Sequence, residues 1–239
     1  MQVLPIRTRV LRAPQDSLTD VLKTAKFNLK EGDILAVSSK VVSIDEGNTV
    51  SVGSIEKRSL VKQEAEYYKE FPNNVHRTIF TLNKGSLAGS SGIDESNGNG
   101  YYILYPKDPF KSAKRLRTLL RKKYGLKKLG VIITDSMSIP LRRGSVGFAL
   151  SWAGFAGLKD YRKTKDLFGR FFKMEVANVV DGLAASAVVV MGEGSEGTPL
   201  AVIRGAEVGF GIQEKEPLIV APEDDMYAPL LFKNWKRGG

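Results

Sequence analysis

Apolar positions along the chain switch between two periods, and the switch points lay out its elements. Leu18, Val21, Leu22, Ala25 and Leu29 recur at helical spacing behind Ser17, whose hydroxyl can cap a first turn. A helix is predicted there, ending at Gly32-Asp33. DILAVSSKVVSI (33–44) predicts a buried strand with a polar interruption at Ser38-Ser39-Lys40. The charged segment 56–70 predicts a helix and FPNN (71–74) a turn. YYIL (101–104), GVIITD (130–135), MEVANVV (174–180) and LAVIRG (200–205) read as strands, with a small-residue helix over 181–188. In KDPFKSAKRLRTLLRKKYGLKK (107–128), Phe110, Ala113, Leu116, Leu120 and Tyr124 mark one face of an amphipathic helix. The tail DDMYAPLLFKNWKRGG is expected to dock through its apolar residues and fray at its end. Helices and strands alternate irregularly, which predicts a mixed α/β or α+β fold and not a regular doubly wound sheet.

Composition narrows the class. The 239 residues suffice for a sizeable core, as one large domain or two intertwined lobes. The longest apolar runs, such as AASAVVVM (184–191), are too short to span a membrane. The N-terminal stretch MQVLPIRTRVLRAP lacks the apolar core and cleavage site of a secretory signal. Together with the absence of cysteine, this predicts a cytoplasmic protein. It also removes disulfides, thiolate metal sites and a cysteine nucleophile.

The net charge is +10, concentrated in the 107–128 segment, where ten Lys or Arg residues face one acid, Asp108. A solvated helix face is the plain reading, and a polyanion-binding face the functional one. No stacking aromatics interleave the charges and no nucleic-acid module is recognisable, so nucleic acid is not the expected partner.

The single histidine, His76, follows PNNV with no nucleophile elbow nearby, so a structural or surface role is expected and a zinc site is not. A metal here would take oxygen ligands, as Mg²⁺, Mn²⁺ or Ca²⁺ do. Three polar acidic stretches could supply them: SSGIDESNGNG (90–100) with Asp94 and Asn97, VIITDS with Asp135 and Ser136, and MGEGSEGTP (191–199) with Glu193 and Glu196. Gly192-x-Gly194-x-x-Gly197 in the third is a literal GxGxxG. A helix precedes it and a strand follows, the reverse of the dinucleotide fingerprint, so a Rossmann site is rejected. What remains is a flexible connection or a backbone cradle for phosphates. Lys40, Arg142, Arg143 and Arg204 are cations near these stretches, with Lys40 and Arg143 ranked first as phosphate contacts.

The order of motifs carries more than any one of them. SSKVVS, SSGIDESN, a PKDPxxSAxxLR helix, VIITDS, PLRRGSVGFALSWAGF, DLFGR and DGLAASAVVVMGEGSEGTPLAVIRG follow one another. This succession resembles the coenzyme F420:L-glutamate ligases (the F420-0 γ-glutamyl ligase family), roughly from Gly32 to Gly205. The resemblance implies an intertwined dimer of a mixed α/β, two-lobed chain. It implies an enzyme that joins the amino group of L-glutamate to a carboxylate acceptor through an acyl phosphate, using GTP and two Mn²⁺ or Mg²⁺ ions. By the same resemblance Asp94, Asp135, Ser136 and Glu193 match metal-binding positions, with Ser136 standing where the family usually has threonine. Ser39, Lys40, Asn97, Met191, Gly192, Gly194, Ser195, Glu196, Gly197 and Thr198 match nucleotide contacts.

The chain departs from the family pattern at Ile44, where a lysine is common, and at Met137-Ser138-Ile139, Asp16-Ser17 and Asp181-Gly182. These departures suggest the same chemistry on a different acceptor, such as a folate-like γ-glutamyl chain. A non-enzymatic homologue that binds nucleotide or polyanion is the third reading.

Overall fold

In the computed structural model, residues 1–71, 78–211, 218–231 and 234–239 are described. His76 and most of the expected 71–74 turn lie outside these residues. In chain order the elements are β1 (Gln2–Ile6), α1 (Leu18–Thr24), β2 (Asp33–Ser38), α2 (Ser39–Asp45), β3 (Thr49–Ser51), α3 (Lys57–Glu64), β4 (Tyr67–Lys69), β5 (Phe80–Asn83), β6 (Ser86–Gly89), β7 (Tyr101–Ile103), α4 (Pro109–Tyr124), β8 (Leu129–Ser138), β9 (Ser145–Ala153), β10 (Leu158–Asp160), β11 (Val176–Asn178), α5 (Val179–Met191), β12 (Leu200–Arg204), α6 (Ala228–Leu231) and β13 (Lys236–Arg237). Helices and several sheets mix irregularly, as an α+β fold does. No helix among the described residues is long and apolar enough to cross a membrane.

The main sheet has the order β1-β12-β2-β8-β9, with β2 and β8 parallel and the other pairs antiparallel. Its central strand β2 is buried on both faces, which explains its continuous apolar sequence. Alternate residues go to opposite sides. Leu35 and Val37 join Val131, Ile133, Leu200 and Val202 against Leu18, Leu22, Leu116 and Leu120 from α1 and α4. Ile34 and Ala36 join Ile132, Ala149, Ala201 and Ile203 against Val180, Leu183, Ala184 and Ala187 of α5. The sheet is thus a layer between two helical layers. The small residues of α5 allow close approach: a Cβ on Gly147 of β9 would lie 2.6 Å from Val188 Cβ. A third apolar cluster, Leu60, Val61, Ile79, Ile93, Tyr102 and Leu104, ties α3 to β7 and the 79–93 segment beside the sheet β13-β4-β5-β6.

Several expectations are corrected. The 33–44 run is not one strand: β2 ends at Ser38 and α2 begins at Ser39. The polar interruption is the strand-to-helix switch, after which Val41 and Ile44 bury at helical spacing. Helix α1 stops at Thr24, because Ala25 is already extended; Ser17 does cap it, accepting from Asp20 N. The 56–70 segment is a helix only to Glu64, and then pairs as β4. Strand β11 is three residues long, and Val179 already belongs to α5. The chain end does not fray. Strand β13 pairs with β4, and Gly238 N donates to Glu66 O at 3.1 Å. The backbone hydrogen bonds of the last residues are made there, while Met226 and Tyr227 of the tail stay exposed.

Candidate active site

A cleft of about 330 Å³ opens where β2 turns into α2. Its walls come from residues 8–11, 38–41, 134–136 and 191–199, with Ile44, Asn97 and Val188. Four stretches far apart in sequence meet because β2, parallel to β8, ends at Ser38 opposite Thr134 of β8. There β2 leaves the sheet. Strand β8 does not end at Asp135 as expected, but runs on to Ser138 in a ribbon with β9, after a register shift at Ile133/Thr134. Asp135 is therefore an in-strand residue at the point where its neighbour strand departs.

The oxygens form a chain. Ser39 Oγ donates to Asp135 Oδ2 in a very short contact. Ser136 N donates to Asp135 Oδ1 at 2.7 Å, and Ser136 Oγ to Glu193 Oε2 at 3.1 Å. Burial pushes the Asp135 carboxyl up to about 6, against the hydrogen bonds from Ser39 and Ser136; the charge of Asp94 adds to the rise.

Asp94 does not line the cleft itself. It stands behind Lys40, whose Nζ lies 2.6 Å from Asp94 Oδ2 and donates to Ser96 O at 2.8 Å. Burial raises the Asp94 pKa, but hydrogen bonds from Lys40 and Ser96 outweigh it and hold the carboxyl below its ordinary value. Lys40 sits in the first turn of α2, not within a strand that runs through 33–44.

The 191–198 loop is closed on itself. Thr198 Oγ1 donates to Met191 O at 2.6 Å, and Glu196 Oε2 accepts from Gly194 N at 2.9 Å. Glu196 thus turns its charge onto a loop amide. Asn97 Nδ2 reaches across to Gly194 O at 3.0 Å. Gly192 has φ 79° and ψ 165°, a conformation that only glycine adopts readily. Ser195 and Gly197 complete the wall. Every predicted nucleotide-contact position thus lies around this one cleft.

Of the other cations, Arg204 is engaged elsewhere: it makes a bidentate pair with buried Asp33 at 2.9 and 2.7 Å. Arg142 and Arg143 lie outside the cleft lining. Sequence reasoning missed residues 8–11, in particular Arg9. Nothing local marks them; only the RTRV alternation after β1 distinguishes the segment.

The donor set suits a hard cation in kind, since all of it is oxygen and the Asp135 carboxyl is desolvated and feels the charge of Asp94. Among the described residues, no three acidic or histidine side chains stand together as a finished metal cluster. Asp94 is held off by Lys40 and Glu193 is bonded to Ser136.

The family model described as F420-0:Gamma-glutamyl ligase matches residues 5–205, a span that includes every wall of the cleft. The chain belongs to that family. Its members with curated names include the coenzyme F420:L-glutamate ligase of Methanopyrus kandleri, 33% identical over 95% of this chain and 96% of the relative. The enzyme of that name from Methanococcus maripaludis strain C6 is 38% identical over 85% of this chain and 88% of its own. That from Archaeoglobus fulgidus is 31% identical over 95% and 96%.

Proposed function

We propose that this chain is an amide-forming ligase that joins L-glutamate to a carboxylate acceptor of the F420-0 type, consuming GTP and requiring Mn²⁺ or Mg²⁺. The observation that carries the reading is the convergence of Asp135, Ser136 and Glu193 on the glycine-rich 191–198 loop in one cleft, in a chain of this family. Asp94, Asp135, Ser136 and Glu193 would hold two cations. When bound, such ions offset triphosphate charge and stabilise the transferring phosphoryl group.

The chain's own groups do the positioning. The 191–198 loop, with Ser39 and Asn97, orients the nucleotide, and Lys40 places a positive charge beside it. An acceptor carboxylate oxygen attacks the γ-phosphorus, the bond to the bridging oxygen breaks, and GDP leaves. The glutamate nitrogen then attacks the acyl phosphate carbonyl carbon. Its C–O bond breaks, phosphate departs, and the nitrogen gives up a proton, which the phosphate can take.

The chain is proposed to work as a cytoplasmic homodimer of intertwined, two-lobed subunits. Leu167, Phe168, Phe171 and Met174 lie on the arm between β10 and β11, with Leu167 99% and Phe168 90% exposed. Such a run of bare apolar side chains calls for a covering partner.

Acceptor choice has a second reading. The departures from the family pattern, among them Ile44 in the cleft lining where the family commonly has a lysine, are what supports an acceptor other than F420-0, such as a folate-like γ-glutamyl chain.

The test is incubation of the purified protein with GTP, L-glutamate and Mn²⁺, with either acceptor class. One glutamyl unit should be added for each GDP and phosphate released. Product from the folate-type acceptor alone selects the second reading. No product and no GDP with either acceptor rejects the ligase reading.

A further inference from the structure

The N-terminal segment after β1 forms a cleft wall to which nothing above gives a task. Thr8 N donates to Gly197 O at 3.1 Å, tying this segment to the glycine-rich loop. Arg9, the next residue, lines the cleft. Lys40 is the other cation of the lining, and its ammonium is already engaged by Asp94 and by Ser96 O.

Arg9 is held in a fixed orientation. Its Nη1 donates to Asp16 Oδ2 at 2.6 Å and its Nη2 to Asp16 Oδ1 at 2.8 Å. Nη1 also donates to Val10 O at 3.1 Å. Asp16 is itself pinned, accepting from Ser17 N at 2.7 Å and Arg12 N at 3.1 Å. A guanidinium has five N–H donors in one plane. Asp16 takes the two on the end of the fork, and Val10 O takes the second Nη1–H. The Nε–H and the second Nη2–H are left without a partner among the described residues. These two are parallel and form the side-on edge, the geometry that grips a carboxylate or phosphate through two hydrogen bonds. Since Asp16 offsets the charge of Arg9, the edge would select by geometry more than by net charge.

We propose that Arg9, oriented by Asp16, is a specificity-determining contact for an oxyanion of one substrate, a phosphate or a carboxylate, held at the cleft wall that residues 8–11 form beside the glycine-rich loop. The proposal rests on the ligase reading for which substrates enter the cleft. Three could bring such a group: the nucleotide, L-glutamate and the acceptor.

The experiment compares the wild-type chain with Arg9→Gln, Arg9→Lys and Asp16→Asn, measuring kcat and KM for each of the three substrates in turn. Thermal melting checks that each variant folds. Loss of a two-point charge-assisted contact should raise one KM about 10-fold or more in Arg9→Gln, with the other two KM values and kcat within about threefold. Arg9→Lys should recover little, because an ammonium cannot supply the paired edge. Asp16→Asn should raise the same KM by a smaller factor. The affected KM names the source of the oxyanion. All three KM values within twofold of wild type overturn the proposal. So does an equal fall in kcat/KM for every substrate together with a lowered melting temperature, since that is a structural role. Should the wild-type chain add no glutamate to any acceptor, the ligase reading fails by itself. Arg9 is then read by calorimetry with GTP and with L-glutamate as probes. A tenfold weaker binding of either in Arg9→Gln upholds the contact, and unchanged binding of both overturns it.

Discussion

Lys40 Nζ lies 2.6 Å from Asp94 Oδ2, and this pair joins the first turn of α2 to the acidic loop beside the cleft. The ammonium stands where the family resemblance would put a metal ligand's cation. Lys40 spends its donors on Asp94 and Ser96, so a cation arriving at Asp94 would release it toward the cleft.

Lys40→Met should therefore act in opposite senses on two ligands. Mn²⁺ affinity without nucleotide should rise, because a competing charge is removed from Asp94. GTP affinity in the presence of Mn²⁺ should fall about 10-fold, the usual effect of losing one charged hydrogen-bond donor. Calorimetric titration of each ligand reads both directions.

Asp135 gives a pH signature to the metal-free protein. Burial raises its carboxyl to about 6, above its ordinary value of 3.8, so between those values the folded state binds more protons than the unfolded. Stability then falls as pH rises through that window and levels off above it. Two pKa units correspond to a loss on the order of 2–3 kcal/mol. Asp135→Asn should remove this slope and leave the metal-free chain more stable than wild type at neutral pH, while Mn²⁺-dependent GTP binding weakens about 100-fold. Urea unfolding at a series of pH values, beside calorimetry, checks both.

Gly192→Ala should deform the 191–198 loop. A Cβ there would lie 2.3 Å from the carboxyl carbon of Glu196, and the backbone at φ 79° disfavours any side chain. Glu196 can swing aside, but the backbone strain of about 1–3 kcal/mol remains. The expected result is a GTP affinity about 10-fold weaker, with a melting temperature lowered by a few degrees.

The arm between β10 and β11 carries the dimer expectation. A double substitution, Leu167→Asp with Phe168→Asp, places two charges on the exposed apolar patch. Sedimentation should show wild type as a dimer and this variant as a monomer. A wild-type monomer at micromolar concentration would remove the dimer from the proposed function.

The strands β8 and β12 and the helices α4 and α5 were legible because burial imposes a period on the sequence. Leu116 and Leu120 recur at helical spacing, and LAVI (200–203) is continuously apolar because both faces of β12 are covered. The motif order likewise pointed to the family that the 5–205 match shows. Element ends were less legible. SKVVSID could extend a strand or begin a helix, and the choice was made by Val41 and Ile44, three residues apart, packing into the core together.

The sequence by itself determined which side chains were available: hard oxygen ligands with no thiol, a glycine-rich loop, and apolar stripes sufficient for a three-layer core. Only the tertiary structure decided which of them meet. The parallel pairing of β2 with β8 brings Ser39 onto Asp135, and the return through α5 brings Glu193 onto Ser136. The same packing carries Arg9 to the cleft wall and Arg204 away to Asp33. Periodicity reports how each segment meets the core, which is a local property. Proximity between segments depends on sheet order and register, which are set by the packing of the whole chain.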